Sequence, residues 1–543
     1  MRLASLLAGV TALVTATSAV PAVAAPEPST AHRVVRSFDG TPIYRTLFLP
    51  VGADAAHPAP LVLRSHGWGG HGERDLAEAS TTTRALLDAG YAVLTWDERG
   101  FGYSGGEVQL LKPEFEGHDV SALLDDVATD PHIASELACQ TPRGPGGRCA
   151  DPVVGMTGGS YAGGIQPLAA AFDAEFSGTT PGRSRIDAIA PEITWNDLRD
   201  VLDGNGVINL GWSQLLYASG LVTAQADGLS PANPAGPQAG GLAEPLHRAE
   251  LEGVIANRLS AESLRFLGDS SIASYGDRHP VEVPTLLMQG SVDTLFDVTE
   301  ADRTFQRIRR HAPAKLVVFC GGHVSCPADY ADAHDRSFLD GQILTWFARY
   351  LRGRHVDTGT PVAYRTNAGI WRTAEDFPPR DVEHRAGSGR GRLLGTPVPT
   401  TLVPTRPGPV SLPLITAQPN PPGDPHAFTG EVLRAGPGGA ELVGVPAAEL
   451  SVTGTGPEAH LFVKLVDRER GQVVNLQEAP LRVTGLSGTP QRFRIDMPGL
   501  AYTLPPGHHL DLQVATSSLM HAGARTPSTV DVAARVDVPV RPS

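Results

Sequence analysis

Short apolar runs alternate with helix-like stretches over the first two thirds of the chain. The runs at 61–63, 92–94, 153–156, 188–190, 285–288 and 316–319 lack an apolar/polar alternation, as strands buried on both faces of a parallel sheet do. Each ends in a loop containing Gly, Ser or Asp. This rhythm predicts an α/β domain over 25–352, a parallel sheet covered by helices. Functional groups in such sheets gather at the carboxyl ends of the strands.

Residues 192–275 break the rhythm. Helix-like segments at 196–202, 213–221, 249–259 and 261–267 surround a Pro/Gly-rich loop at 228–241, with no strand pattern. They read as a helical cap inserted before the last two core strands; the plainer alternative is peripheral helices that cover nothing catalytic. After a predicted helix at 337–351 the texture changes, and 353–543 is rich in Pro, Gly, Thr and Val. Leu510, Leu512 and Val514 alternate with Asp511 and Gln513, the period of a strand with one wet face. Runs at 461–466 and 530–538 look similar, which predicts an all-β sandwich or jelly roll. Two domains also suit 543 residues, too many for one hydrophobic core.

Composition narrows the partners. Hydrophobic residues at 41% and charged residues at 19% describe a globular chain rather than a disordered one. A formal charge of −14 with no Lys/Arg-rich run argues against nucleic acid or an anionic membrane as the main partner. The first residues read as an export signal: Arg2, an apolar stretch over 3–14, then Ala22-Val23-Ala24 in the small-x-small pattern. Cleavage near Ala24 makes 1–24 a signal peptide and the mature protein secreted. The apolar stretch falls short of the roughly 20 residues that span a bilayer, and no later one reaches it, so stable membrane insertion is not expected. The 4 cysteines allow three pairings. Local spacing favours Cys139 with Cys149 and Cys320 with Cys326, both short-loop staples of the secreted kind; four buried thiols are the alternative. No Cys/His cluster points to a metal.

Gly158-Gly159-Ser160-Tyr161-Ala162-Gly163 follows one predicted strand and precedes an apolar stretch. A sharp strand-to-helix turn lifts its central side chain clear of the sheet and demands small neighbours, which makes Ser160 the candidate nucleophile. A serine hydroxyl needs a base, and an acid to hold that base in the right tautomer, in the chain order Ser, Asp, His. Asp293 and His323 each lie just beyond a later predicted strand. Asp297 is the rival acid, placed at a helix start; His66, His71, His311 and His334 are rival imidazoles, and His311 precedes its strand. The oxyanion of acyl transfer needs fixed N–H donors, assigned here to Tyr161 and, in Ser65-His66-Gly67-Trp68, to Trp68. Asp97-Glu98-Arg99-Gly100 is read as a loop brace.

Together, His66-Gly67-Trp68, Asp97-x-Arg99-Gly100-x-Gly102, Gly158-x-Ser160-Tyr161-x-Gly163, Gly290-x-x-Asp293 and Gly322-His323 resemble an α/β-hydrolase. The Ser-Tyr pair, helical insertion and C-terminal β-domain resemble the cocaine-esterase and Xaa-Pro dipeptidyl-peptidase group. The segments Val362-Ala363-Tyr364, Trp371-Arg372 and Phe377-Pro378-Pro379 are similar to the opening of that group's C-terminal jelly roll, and Tyr502 with Pro505-Pro506-Gly507 to a later stretch. The chain departs from the group where members often carry an oxyanion-binding Tyr after the first core strand.

The resemblance implies a serine hydrolase acting through an acyl-enzyme, with no metal or organic cofactor and a small peptide or ester as substrate; the export signal makes it a secreted one. It favours Xaa-Pro dipeptidyl-peptidase-like release of a dipeptide, for which a carboxylate must pair with the free amine; Glu192 is the candidate. A carboxylic ester hydrolase is the alternative, and a silent secreted binding protein the remote one. Trp195, Trp212 and Tyr217 are candidate pocket walls.

Overall fold

The computed structural model describes residues 27–135, 151–177, 183–224, 241–330, 336–396 and 414–541. Cys139, Cys149, the Ala24 cleavage site, His334 and most of the 228–241 loop lie outside them.

All six predicted strands form, in one ten-stranded sheet. Its order is Ser29–Arg36, Pro42–Leu49, Ala92–Trp96, Leu61–Arg64, Val154–Gly159, Ile186–Glu192, Thr285–Gly290, Ala314–Phe319, Val362–Arg365, Trp371–Ala374. From Ala92–Trp96 to Val362–Arg365 the strands run parallel. Antiparallel strands close both edges. Val362–Arg365 and Trp371–Ala374 fall beyond residue 352 in sequence, yet they extend this sheet rather than the β-domain. Val362 and Tyr364 are fully buried between the two domains, so a segment read as the opening of one serves as the edge of the other.

The sheet is covered on both faces. Helices Thr81–Asp88 and Arg336–Tyr350 bury Leu86, Ile343 and Phe347 against one face. Tyr161–Phe176, His118–Val127 and the cap pack on the other. The cap contains Leu198–Leu202, Leu210–Thr223, Glu244–Ala256, Ala261–Asp269 and Ile272–Tyr275. The helix expected at 249–259 is displaced towards the N-terminus because Pro245 suits a first turn. Asn257, left-handed at φ 56°, ends that helix. A two-residue strand, Gly241–Leu242, pairs with Glu107–Val108, a contact the sequence pattern does not announce.

The C-terminal domain is antiparallel and all-β. Its organising strand, Ala447–Asp467, pairs through its first half with Gln491–Asp496 and Ser528–Arg541. Its second half pairs with Ala479–Ser487 and His509–Ala515. The glycines Gly454 and Gly456 sit where the partners change, Gly456 at φ +124°. The expected wet face of His509–Ala515 is not wet: Asp511 and Gln513 are buried with the apolar residues. Arg468 covers Asp511 with paired hydrogen bonds, and Asn420 exchanges two with Gln513. At one end of this domain Asp467, Glu469 and His508 converge, with Asp467 already held by Tyr502 and His508. The domains meet through a shared cluster in which Val298, Phe305 and Leu316 pack with Val443 and Ala501.

Candidate active site

The strand Val154–Gly159 turns into the helix Tyr161–Phe176 within one residue, Ser160, held at φ 60°, ψ −121°. A non-glycine residue rarely adopts this backbone, and such strain persists only where its surroundings impose it. Ser160 N–H donates to Glu192 O at 3.0 Å. A Cβ on Gly163 would lie 2.6 Å from that same Glu192 oxygen, and one on Gly158 2.8 Å from Ala162 Cβ. The small residues are thus demanded by the closeness of the next strand end. Trp195 braces the elbow from the cap side, its ring 2.3 Å from where a Gly164 Cβ would stand.

The two other candidates converge on the serine. His323 Nε2 lies 2.7 Å from Ser160 Oγ, and His323 Nδ1 lies 2.8 Å from Asp293 Oδ2. Asp293 is fully buried, and its other oxygen accepts from Leu295 N–H and Phe296 N–H, both at 3.0 Å. Its Oδ2 also accepts from His323 N–H at 3.1 Å. Four hydrogen bonds of this kind compensate a carboxylate removed from water. The loop from the strand Ala314–Phe319 to His323 is tight: Gly321 and Gly322 sit at φ +127° and +132°, and a Gly322 Cβ would be 2.4 Å from Asp293 Cβ. A disulfide between Cys320 and Cys326 closes the segment that carries His323.

The rivals have other work. Asp297 is the N-cap of Val298–Ile308 and accepts from Glu300 N–H at 3.1 Å. His66 is buried and burial lowers its pKa. Its Nε2 accepts from Glu98 N–H at 2.9 Å, so Nδ1–H donates to Gly67 O at 2.8 Å. Asp97 gathers Gly72 N–H, Tyr103 N–H and Arg74, while Arg99 bridges Asp119 and Asp39. These groups brace the loops around the site.

Trp68 stands beside the elbow, its ring edge-on to Tyr161 at 5.4 Å and to Phe101 at 5.3 Å. Its indole N–H donates to Leu216 O in the cap at 2.8 Å. Tyr161 opens its helix, where a backbone N–H has no intrahelical acceptor. Trp212 reaches from the cap to the imidazole, its ring 5.7 Å from that of His323, and its N–H donates to Thr294 Oγ1 at 3.1 Å. Trp195 packs against Phe296 and its indole N–H donates to Ser270 O. Tyr217 lies farther out, bonded to His247 Nδ1 at 2.8 Å.

Glu192, the candidate carboxylate for a substrate amine, has a cationic partner in the structure. Arg336 grips its carboxylate at 2.7 and 3.1 Å, so its charge is already neutralised by a bidentate partner. Sequence reasoning also missed three contacts of the loops that carry Asp293 and His323. Phe296 packs edge-on to His323 at 5.1 Å, Thr294 anchors Trp212, and Gln477 of the β-domain donates to Asp293 O. The first two follow Asp293 closely enough to be guessed; Gln477, 184 residues away, carries no local signal.

This geometry on this sheet places the chain in the α/β-hydrolase class, among the serine hydrolases. Within that class, the family model of the X-Pro dipeptidyl-peptidases (S15 family) matches residues 39–325, more than half of the chain, and the chain belongs to that family. Residues 354–534 match the X-Pro dipeptidyl-peptidase C-terminal non-catalytic domain. Among solved structures, an aminopeptidase from a marine sediment Thaumarchaeota archaeon is 16% identical with a TM-score of 0.70, covering 97% of this chain and 99% of its own. An alpha-amino acid ester hydrolase is 17% identical with a TM-score of 0.71, at 97% and 99% coverage. A CocE/NonD family hydrolase from Staphylococcus aureus is 14% identical with a TM-score of 0.59, at 97% and 99%. At these identities the likeness is one of fold. No curated protein matches the sequence.

Proposed function

We propose that Ser160 is the nucleophile of a two-step acyl transfer to water, with His323 as base and Asp293 as the acid that orients it. The hydrogen-bonded chain from Ser160 Oγ through both ring nitrogens of His323 to Asp293 Oδ2 carries this reading. His323 takes the serine proton as Oγ attacks the carbonyl carbon, and the N–H groups of Tyr161 and Trp68 receive the oxyanion. The imidazolium then protonates the leaving group, and water repeats the sequence on the acyl-enzyme. Buried Asp293 stabilises the imidazolium without itself taking the proton.

Carboxylic esters are the substrate class the geometry supports best. Around the triad stand Trp212, Phe296, Trp68 and Tyr161, all aromatic, and Glu192 is committed to Arg336. Family membership favours a second reading, removal of an N-terminal dipeptide. Export fits both: the 1–24 pattern and the Cys320–Cys326 bridge support an oxidising compartment. No helix among the described residues is long and apolar enough to cross a membrane.

Hydrolysis of a short-chain p-nitrophenyl ester beside an Ala-Pro p-nitroanilide, by the protein and by Ser160→Ala, tests both readings. Ester turnover that vanishes in the variant, with little anilide turnover, is expected. Ser160-dependent anilide turnover of comparable efficiency would replace the ester reading with the dipeptidyl-peptidase one.

A further inference from the structure

The outer face of the β-domain concentrates positive charge, unlike the chain as a whole, whose formal charge is −14. Four strands lie side by side there, in the order Gln491–Asp496, Ala447–Asp467, Ser528–Arg541, Glu383–Gly395. Alternate residues of each point outward. On Glu383–Gly395 the inward positions are Gly387, Gly389 and Gly391, where a Cβ would press on Val432 or Phe428. Ser388 and Arg390 between them therefore face solvent.

The register turns this alternation into a groove of about 830 Å³. One row across the sheet reads Arg492, Ser451, Ala533, Arg390, and the next reads Arg494, Glu449, Arg535, Ser388. Three strand spacings, roughly 14 Å at the main chain, separate Arg492 from Arg390, with the small Ser451 and Ala533 between them. Long cationic side chains thus form the sides and small residues the floor. The four arginines are exposed and face one acid, Glu449, which Arg494 holds at 3.2 Å. Acids beyond the groove have partners of their own: Asp537 pairs with His384, Asp496 with Arg303 and Asp531 with Arg392. Among the described residues no carboxylate lies within ion-pair distance of Arg390, Arg492 or Arg535.

We propose that this groove binds a linear polysaccharide that carries carboxylates, a uronate polymer. Charge complementarity selects an anionic occupant, and the guanidinium fork matches a carboxylate bidentately. Arg494 on Glu449 is an instance of that pairing inside the groove. The rows select an extended occupant, because Arg390 and Arg492 stand on opposite sides of the floor. Single-stranded nucleic acid is held by stacking its bases on aromatic rings, whereas the aromatic lining residue here, Phe493, packs against the domain core. Ser160, Asp293 and His323 are absent from the groove's lining, so the assignment stands apart from the hydrolase reading.

Isothermal titration calorimetry at about 0.15 M ionic strength, where exposed charges act over only about 8 Å, tests it. The ligands are polygalacturonate, neutral dextran and a single-stranded oligothymidylate. The proteins are the unaltered chain, Arg390→Glu, Arg492→Glu, and Arg258→Glu, which makes the same charge change at an exposed cap position. Polygalacturonate should bind and dextran should not. Each groove variant should weaken binding at least about tenfold with Tm unchanged, and Arg258→Glu should leave the Kd within about twofold. Absence of polygalacturonate binding, equal binding of dextran, equal weakening by Arg258→Glu, or tighter binding of the oligothymidylate overturns the proposal.

Discussion

His323 holds Ser160 on one ring nitrogen and Asp293 on the other, so its useful tautomer carries the proton on Nδ1, facing the carboxylate. Asp293→Asn keeps the shape but presents an amide that can donate to Nδ1 and select the wrong tautomer. Turnover should fall on the order of 10⁴-fold. Asp297→Asn, at a helix cap where asparagine serves equally well, should change turnover little; steady-state kinetics on both variants separates the two acids. Glu98 shows a different consequence of burial. Desolvation raises its carboxyl from 4.5 to about 8, with Ser65 opposing and Glu116 adding to the shift. Between those values the folded protein holds a proton that the unfolded chain has released, so this group's stabilisation is lost as pH rises through the window. Glu98→Gln should therefore gain in Tm relative to the unaltered protein as pH rises from about 5 to about 9, read by calorimetry. A constant difference in Tm across that range would contradict the burial argument.

At the scale of elements, the local signals were the legible ones. The Ser160 elbow could be read because its constraint is short-range: a one-residue strand-to-helix turn needs small neighbours, and the glycines announce it. The helices of the cap were found but misplaced at their ends, since Pro245 and the left-handed Asn257 set boundaries that apolar periodicity does not register. The loop after Ala314–Phe319 is an element of its own kind, carrying His323 between two bonded cysteines. Closing so short a loop is worth about 2 kcal/mol in the entropic account, a small part of the stability of a chain this size. Reduction should accordingly depress activity at reductant concentrations that leave the far-UV circular dichroism unchanged. Simultaneous loss of both would make the bridge a general staple rather than a support for His323.

The whole molecule places the β-domain against the segment that carries Asp293. Gln477 follows a turn, Val474–Leu476, in which Asn475 and Leu476 both stand at positive φ, 54° and 62°. That strain is maintained where the turn delivers a side-chain amide to the main-chain carbonyl of Asp293. On the other flank, Trp212 of the cap fixes Thr294, the next residue. Gln477→Leu should lower kcat about tenfold, a loss of roughly 1.4 kcal/mol, with KM little changed and only a small drop in Tm. Loss of Tm with full turnover in the surviving fraction would assign Gln477 to domain docking alone.

By itself the sequence determined the six core strands, the glycine-flanked elbow, and a serine, an aspartate and a histidine that each follow a strand end. Those features depend on residues near in the chain: burial patterns of a few positions, glycines at tight turns, and loops that leave a strand at a known edge. Only the tertiary structure decided that Val362–Arg365 joins the first sheet, that Arg336 claims Glu192, and that Gln477 reaches Asp293. It also showed that Asp511 and Gln513 are buried beside their partners. Each of these is a pairing across long stretches of chain, set by which buried polar group or edge finds a complementary partner in space. Periodicity and spacing carry no record of that choice.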